Sequence, residues 1–265
     1  MAAKYNSTWG FNNPNDNLPD DIEIWIDCFN NVQESKSKIK FFVNIEPNEI
    51  MHLNNEIINN SKLFDYILCY DDEILKNTSN SVLFEYGTKW VDMDLYTFPE
   101  KNFCISTVCG HKTFTKNHII RKDLWYNQDK IKIPCDFYIS QYGGVDIVNN
   151  NKILKDSKFP LFESMFHICI ENTTKNNFFT EKLIDCLLCK SIPIYIGCPN
   201  INNYFNTEGF IIANSTKDVI SKCNDLTPDF YYSKLNIIEY NYKKALEWID
   251  YNSRLTNKIK NILNI

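Results

Sequence analysis

The chain has 265 residues, 44% of them hydrophobic and 14% aromatic, with a net charge of −5 at pH 7. That is enough apolar material for one large core or two modest ones, and too little positive charge for a surface that binds nucleic acid or anionic membrane broadly. No run of about 18 apolar residues occurs and the amino-terminal stretch is polar, so the expectation is a cytoplasmic chain without signal peptide or integral membrane segment.

In chain order, residues 22–29 and 40–45 read as strands. Residues 64–70 (FDYILCY) form a third, followed by the acidic turn Asp71-Asp72-Glu73, and 81–86 a fourth. A proline-containing segment around Leu95 to Lys101 then leads into a fresh strand at 103–108. The boundary is therefore placed at Phe98, which gives an amino-terminal domain of 1–98 and a second domain of 99–265. Residues 121–125 read as helical and Tyr142-Gly143-Gly144 as a turn. A helical tail runs from about Tyr232 to Leu263, with Leu235, Ile238, Tyr242, Ala245, Leu246 and Ile249 at helical period. Strands alternating with helices in both halves predict an α/β fold of two Rossmann-like domains facing a cleft.

The densest signal is Phe166 to Pro199. It reads as a strand (FHICIEN), a polar loop (TTKNN), a helix (TEKLIDCLLCK) and a second strand (IPIYIG). The strands are continuous apolar runs, as in buried parallel sheets, and Leu183, Ile184, Leu187 and Leu188 give the helix one core-facing stripe. Thr180 can cap the helix, and Glu181 and Lys182 fall in its first turn. Such a loop and helix start open at the carboxyl end of a strand, where α/β sheets bind ligands. A lysine there opposes the helix dipole, which points to an anion, and a diphosphate fits.

Ten cysteines in a chain this long do not indicate a disulfide scaffold. Cys28, Cys69, Cys104, Cys169, Cys186 and Cys189 sit in apolar runs and read as small core residues. Cys186 and Cys189 are one helical turn apart, which implies no bridge. The four histidines show no ligand spacing, so no zinc site is expected. Sequons occur at Asn6, Asn77, Asn172 and Asn214; a glycan on Asn172 would block the loop, which favours the cytosol.

Glu171-Asn172-Thr173, then Phe178-Phe179-Thr180-Glu181-Lys182-Leu183, then Ile192-Pro193-Ile194-Tyr195-Ile196-Gly197 closely resemble the donor-binding signature of α-1,3/1,4-fucosyltransferases. Residues 41–47 (FFVNIEP) and 63–68 (LFDYIL) are similar to the acceptor-side pattern of that family, which extends the resemblance over about Phe41 to Phe210. The resemblance implies a GT-B arrangement, an inverting transfer of fucose or a related sugar from a nucleotide-diphosphate donor, GDP-fucose first, to a glycan hydroxyl, and no metal or other cofactor. Another GDP- or UDP-sugar donor, or a non-catalytic sugar-nucleotide-binding module, is the alternative. Oligomeric state is not legible.

The resemblance also assigns roles. Lys182 and Arg121 would contact the diphosphate, with Lys112 or Lys122 as alternatives to Arg121. Glu181 would bind the ribose hydroxyls, unless it serves only the helix dipole. Glu171 and Asn172 would line the donor pocket, and Thr180 and Phe178 belong to the same donor-binding stretch. Phe178 stands where the family commonly has tyrosine, so one hydroxyl contact is lost. Glu46 is the candidate general base, with Glu49 as its rival. Gly143-Gly144 echoes a family turn. Asp92-Met93-Asp94 looks like the D-x-D metal motif of other glycosyltransferases, but it sits at the presumed domain junction and reads as solvated.

Overall fold

In the computed structural model, residues 3–8, 10, 11, 13, 17–140, 143, 145–149 and 151–265 are described. Tyr142 and Gly144 of the predicted turn lie outside them. The chain divides into two compact units, Met1–Tyr86 with Asn176–Phe178 and Asp250–Ile265, and Gly87–Lys175 with Phe179–Ile249.

The first unit is built on a parallel sheet of β1 (Lys4–Ser7), β2 (Ile22–Ile26), β3 (Ile39–Val43), β4 (Tyr66–Cys69) and β5 (Ser81–Leu83), in that spatial order. Side chains alternate between its faces. Ile24, Ile26, Phe41 and Val43 enter one core cluster, while Trp25 and Phe42 enter another. Helices α1 (Asn48–Met51), α2 (Asn54–Asn59) and α3 (Asp72–Asn77) connect the strands, and Ile57 and Ile74 pack with Trp25 and Phe42. The predicted acidic turn is the start of α3, because the Asp71 side chain caps it by accepting from the Glu73 N–H.

The second unit carries β6 (Asn102–Cys109), α4 (Lys116–Tyr126), β7 (Cys135–Ile139), β8 (Lys152–Ile153), β9 (Ser164–Ile170), α5 (Glu181–Leu188), β10 (Ile192–Ile196) and β11 (Ile211–Ile212). Its strands are all parallel, in the order β11-β10-β9-β6-β7-β8. From β6 the chain winds outward through β7 to β8, and from β9 it winds the other way through β10 to β11. The β6/β9 pair is therefore the topological switch point. The predicted stripe of α5 is buried with Cys169 and Tyr195 on one face. Leu124 and Trp125 of α4 lie on the other face with Ile168, Ile170 and Ile194. Helices α6 (Thr216–Asn224), α7 (Pro228–Ser233) and α8 (Leu235–Ala245) follow, and α9 (Tyr251–Leu263) ends the chain.

The domain boundary differs from the expected one at both ends. Residues 87–98 belong to the second unit because the Trp90 and Val91 amides donate to buried Asp185 of α5, at 2.8 and 3.1 Å, and Val91 and Tyr96 lie in its core. The carboxyl-terminal helix belongs to the first unit. Tyr251, Leu255 and Ile259 enter the cluster of Ile24 and Phe41, and Arg254 Nη2 donates to the Glu85 carbonyl at 2.8 Å. The predicted tail helix is thus three helices with two destinations.

All ten cysteines are free. Cys186 and Cys189 form a C-x-x-C at the carboxyl end of α5, where no helix N-terminus favours thiolate, and burial pushes both thiols up.

Two residues of the β9–β10 region set measurable limits on stability. A Cβ on Gly197 would lie 2.4 Å from the Tyr195 hydroxyl and 2.7 Å from Glu171 Cγ, and both of those residues are buried. Gly197→Ala is expected to cost about 1–3 kcal/mol by overpacking, read as a lowered melting temperature. His167 is buried on β9 with Nδ1 2.8 Å from Ser106 Oγ, and burial holds its imidazole down to about 3 from 6.5. Below pH 6.5 the unfolded chain takes up a proton that the folded chain refuses. This contribution is therefore fully present above pH 6.5 and lost as pH falls toward 3, a difference on the order of 5 kcal/mol. The melting temperature, followed by calorimetry, is expected to fall steeply between pH 6.5 and 4.

Candidate functional site

The carboxyl ends of β6 and β9 are tied together by the first turns of two helices. Thr115 caps α4: its Oγ1 accepts from the His118 N–H at 3.1 Å, while His118 Nδ1 accepts from the Thr115 N–H at 3.3 Å. The same Thr115 hydroxyl donates to the Asn172 carbonyl at 2.5 Å, and Asn117 Nδ2 reaches Thr174 Oγ1 at 3.1 Å. Arg121, one turn further along, donates through Nη2 to Asn172 Oδ1 at 2.7 Å. The loop after β9 is thus pinned along α4.

Glu171 is fully buried and anchors the other end of that loop. Its two oxygens accept from the Thr180 N–H at 2.8 Å and the Thr180 hydroxyl at 2.7 Å. Thr180 caps α5, accepting from the Lys182 N–H at 3.3 Å. Burial raises the Glu171 carboxyl, against the pull of Lys182. Glu171 therefore fixes the start of α5, and Thr180 serves as the predicted cap.

Lys182 Nζ lies 2.8 Å from Glu181 Oε1 and 3.3 Å from Thr180 Oγ1. Burial works against its charge, but the Glu181 and Glu171 carboxylates outweigh that and hold it above the usual lysine range. Burial likewise opposes charge on Glu181, and Lys182 and Lys158 reverse the balance and hold that carboxyl low. The Arg121 guanidinium feels Glu171 and Glu181, although burial pulls it down. Among the described residues its buried Nε has no hydrogen-bond partner. Arg121, Glu171, Asn172, Thr180, Glu181 and Lys182 are thus brought together at the switch point, with one N–H of the half-buried Arg121 unspent among the described residues.

The structure adds His118, which the sequence reading missed. Because Nδ1 accepts the Thr115 N–H, the neutral ring carries its proton on Nε2. Burial and the charge of Arg121 hold it down to about 4, so it is neutral near pH 7. A histidine three residues after a capping threonine and three before the arginine was the available signal.

Phe178 is placed differently from its expected neighbours. It belongs to the first unit, buried with its ring 4.9 Å from that of Tyr70, and Asn177 Nδ2 donates to the Tyr70 carbonyl at 3.3 Å. Glu46 lies three residues beyond the end of β3, half-buried, with its N–H bonded to Asp27 Oδ2 at 2.9 Å. Its rival Glu49 lies in α1. Asp92 and Asp94 are exposed in a turn, with the Asp94 N–H bonded to Asp92 Oδ1 at 3.1 Å. Among the described residues no group of three or more His, Cys, Asp or Glu side chains is arranged to hold a metal ion, and no helix is long and apolar enough to cross a membrane.

No family model matches the chain. It is 28% identical over 107 residues to the α-(1,3)-fucosyltransferase FucT of Helicobacter pylori, a match that covers 40% of this chain and 21% of that protein. It is 30% identical over 105 residues to GDP-fucose protein O-fucosyltransferase 3 of Xenopus tropicalis, covering 38% of this chain and 21% of that protein. The chain thus spans about a fifth of the length of the curated relatives it matches. Among solved structures, an α1,3-fucosyltransferase with GDP-fucose superposes with a TM-score of 0.52 at 18% identity, over 88% of this chain and 78% of the other. TarM superposes with a TM-score of 0.59 at 12% identity, over 90% and 54%. The chain therefore has the GT-B fold, two units each built on a parallel sheet, and is similar in sequence to the α-1,3-fucosyltransferases.

Proposed function

We propose that the protein is an inverting glycosyltransferase that moves fucose from GDP-fucose to a glycan hydroxyl without a metal ion. The observation that carries this reading is the meeting of Arg121 and Lys182 with two buried carboxylates at the β6/β9 switch point, with Arg121 Nε unpartnered among the described residues. A departing diphosphate would take that N–H and the Lys182 ammonium, and the two cations would supply the positive charge a metal supplies elsewhere. Glu181 would exchange part of its bond to Lys182 for ribose hydroxyls. Glu46 would remove the acceptor proton as the acceptor oxygen attacks the anomeric carbon and the carbon–diphosphate bond breaks on the opposite side. Asn172 and Glu171 would act indirectly, by holding Arg121 and Thr180.

A second reading keeps the fold and changes the donor, to another GDP- or UDP-sugar. It is favoured by Phe178, whose buried ring offers no hydroxyl. Thermal protection and nucleotide release with a panel of GDP- and UDP-sugars, in EDTA, separate the two. Stabilisation and slow release with GDP-fucose alone support the first reading, another preferred sugar supports the second, and no response to any donor overturns both.

A further inference from the structure

Asp27 follows β2 directly, is 2% exposed, and stands in the left-handed region at φ 49°. Asparagine and aspartate tolerate that conformation better than other side chains, but it still strains the backbone. No lysine, arginine or histidine side chain is bonded to its carboxylate among the described residues. Oδ1 accepts from the Ile45 N–H at 2.9 Å and Asn44 Nδ2 at 3.1 Å, and Oδ2 accepts from the Glu46 N–H at 2.9 Å. Among the described residues, every donor to the carboxylate comes from the three residues Asn44-Ile45-Glu46.

The placement explains this arrangement. β2 and β3 pair in parallel up to Ile26 and Val43, and the Asp27 N–H makes the next bond, to the Val43 carbonyl at 3.1 Å. Beyond it the ladder stops, and the Asp27 side chain takes up the two amides that the sheet leaves behind. Asn44 Nδ2 closes the turn by also reaching the Glu46 carbonyl at 3.1 Å. A buried carboxylate satisfied by neutral donors alone is costly in a fold, and burial pushes this one up to about 6. A cost concentrated on a single short segment points to what that segment carries.

We propose that Asp27 is the positioning residue for Glu46, fixing through the Ile45 and Glu46 amides the backbone from which that carboxylate meets the acceptor hydroxyl. This rests on the transferase reading above. Other groups share the electrostatic environment. Among the described residues the buried Tyr70 hydroxyl has no hydrogen-bond partner, and it feels Asp71, Asp27, Glu46 and Glu49. The Tyr251 hydroxyl feels Asp27, Tyr86, Arg254 and Tyr5.

The test follows GDP release from GDP-fucose by the full chain, with water standing in for the acceptor. Asp27→Asn sets an amide NH₂ or a lone acceptor against two backbone N–H groups, so one bond is lost. It is expected to lower kcat by about 10²-fold while the donor KM stays within about twofold. Wild-type kcat in Asp27→Asn, while Glu46→Gln is inactive, overturns the positioning role, and so does a fall in kcat matched by an equal rise in donor KM. Wild-type rates in Glu46→Gln overturn the base itself, and the inference with it. If Asp27→Asn does not fold, Asn44→Ala is measured instead. A tenfold or larger fall in kcat at unchanged KM supports the proposal, and wild-type kcat overturns it.

Discussion

Lys182→Ala is expected to lower sugar transfer by about 10²–10³-fold, measured as nucleotide release at saturating donor, because it removes one of the two half-buried cations that the proposed mechanism sets against the leaving diphosphate. The same change strands Glu181, which is 4% exposed and bonded to Lys182 at 2.8 Å. A buried carboxylate left without its partner makes the variant less stable as well, by about 1–3 kcal/mol. The two losses separate in a double variant. Glu181→Gln with Lys182→Met removes both charges, so the melting temperature should return toward wild type while transfer stays low. Recovery of transfer in that variant would show that the ion pair matters for folding only and would remove Lys182 from the proposed chemistry.

Glu46→Gln is expected to stop turnover by about 10²–10⁴-fold while sparing donor binding. Glutamine keeps the size of the side chain, and the Glu46 N–H still bonds to Asp27, so the loop should stay in place. Thermal protection by GDP-fucose should be the same as in the parent protein. Glu49→Gln is the control, since Glu49 lies three residues on in α1. Normal rates in Glu46→Gln together with loss in Glu49→Gln would transfer the base to Glu49.

The β9–α5–β10 stretch was the most legible from sequence, for a physical reason. Its strands are buried on both faces, so FHICI and IPIYI are unbroken apolar runs, and α5 repeats its leucines at helical spacing. The α5 start was readable because a capping threonine is a local device, and the structure gives Thr180 that role. What stayed hidden depends on partners distant in sequence. That Glu171 would bind Thr180, nine residues on, was not visible in a strand end. His118 was overlooked because its importance comes from Asn172 and Arg121, neither of which is predicted by the sequence around it. β7 was missed because CDFYI is short and begins with polar or weakly apolar residues, and β1 because it carries KYNS with no apolar run. Phe178 fell on the wrong unit because a contiguous motif suggests a contiguous location, whereas its ring is packed on Tyr70.

The path of the chain sets an order on its own synthesis. The first unit opens at the amino terminus but takes Tyr251, Leu255 and Ile259 of α9 into its core. The second unit, from Gly87 to Ile249 apart from Asn176–Phe178, is an insertion that is fully translated before α9 exists. The half that leaves the ribosome first is therefore the half that must wait, holding an uncovered sheet face until the last helix arrives. A chain cut short before Asp250 would leave its damage at the opposite end of the sequence, in the unit that begins it.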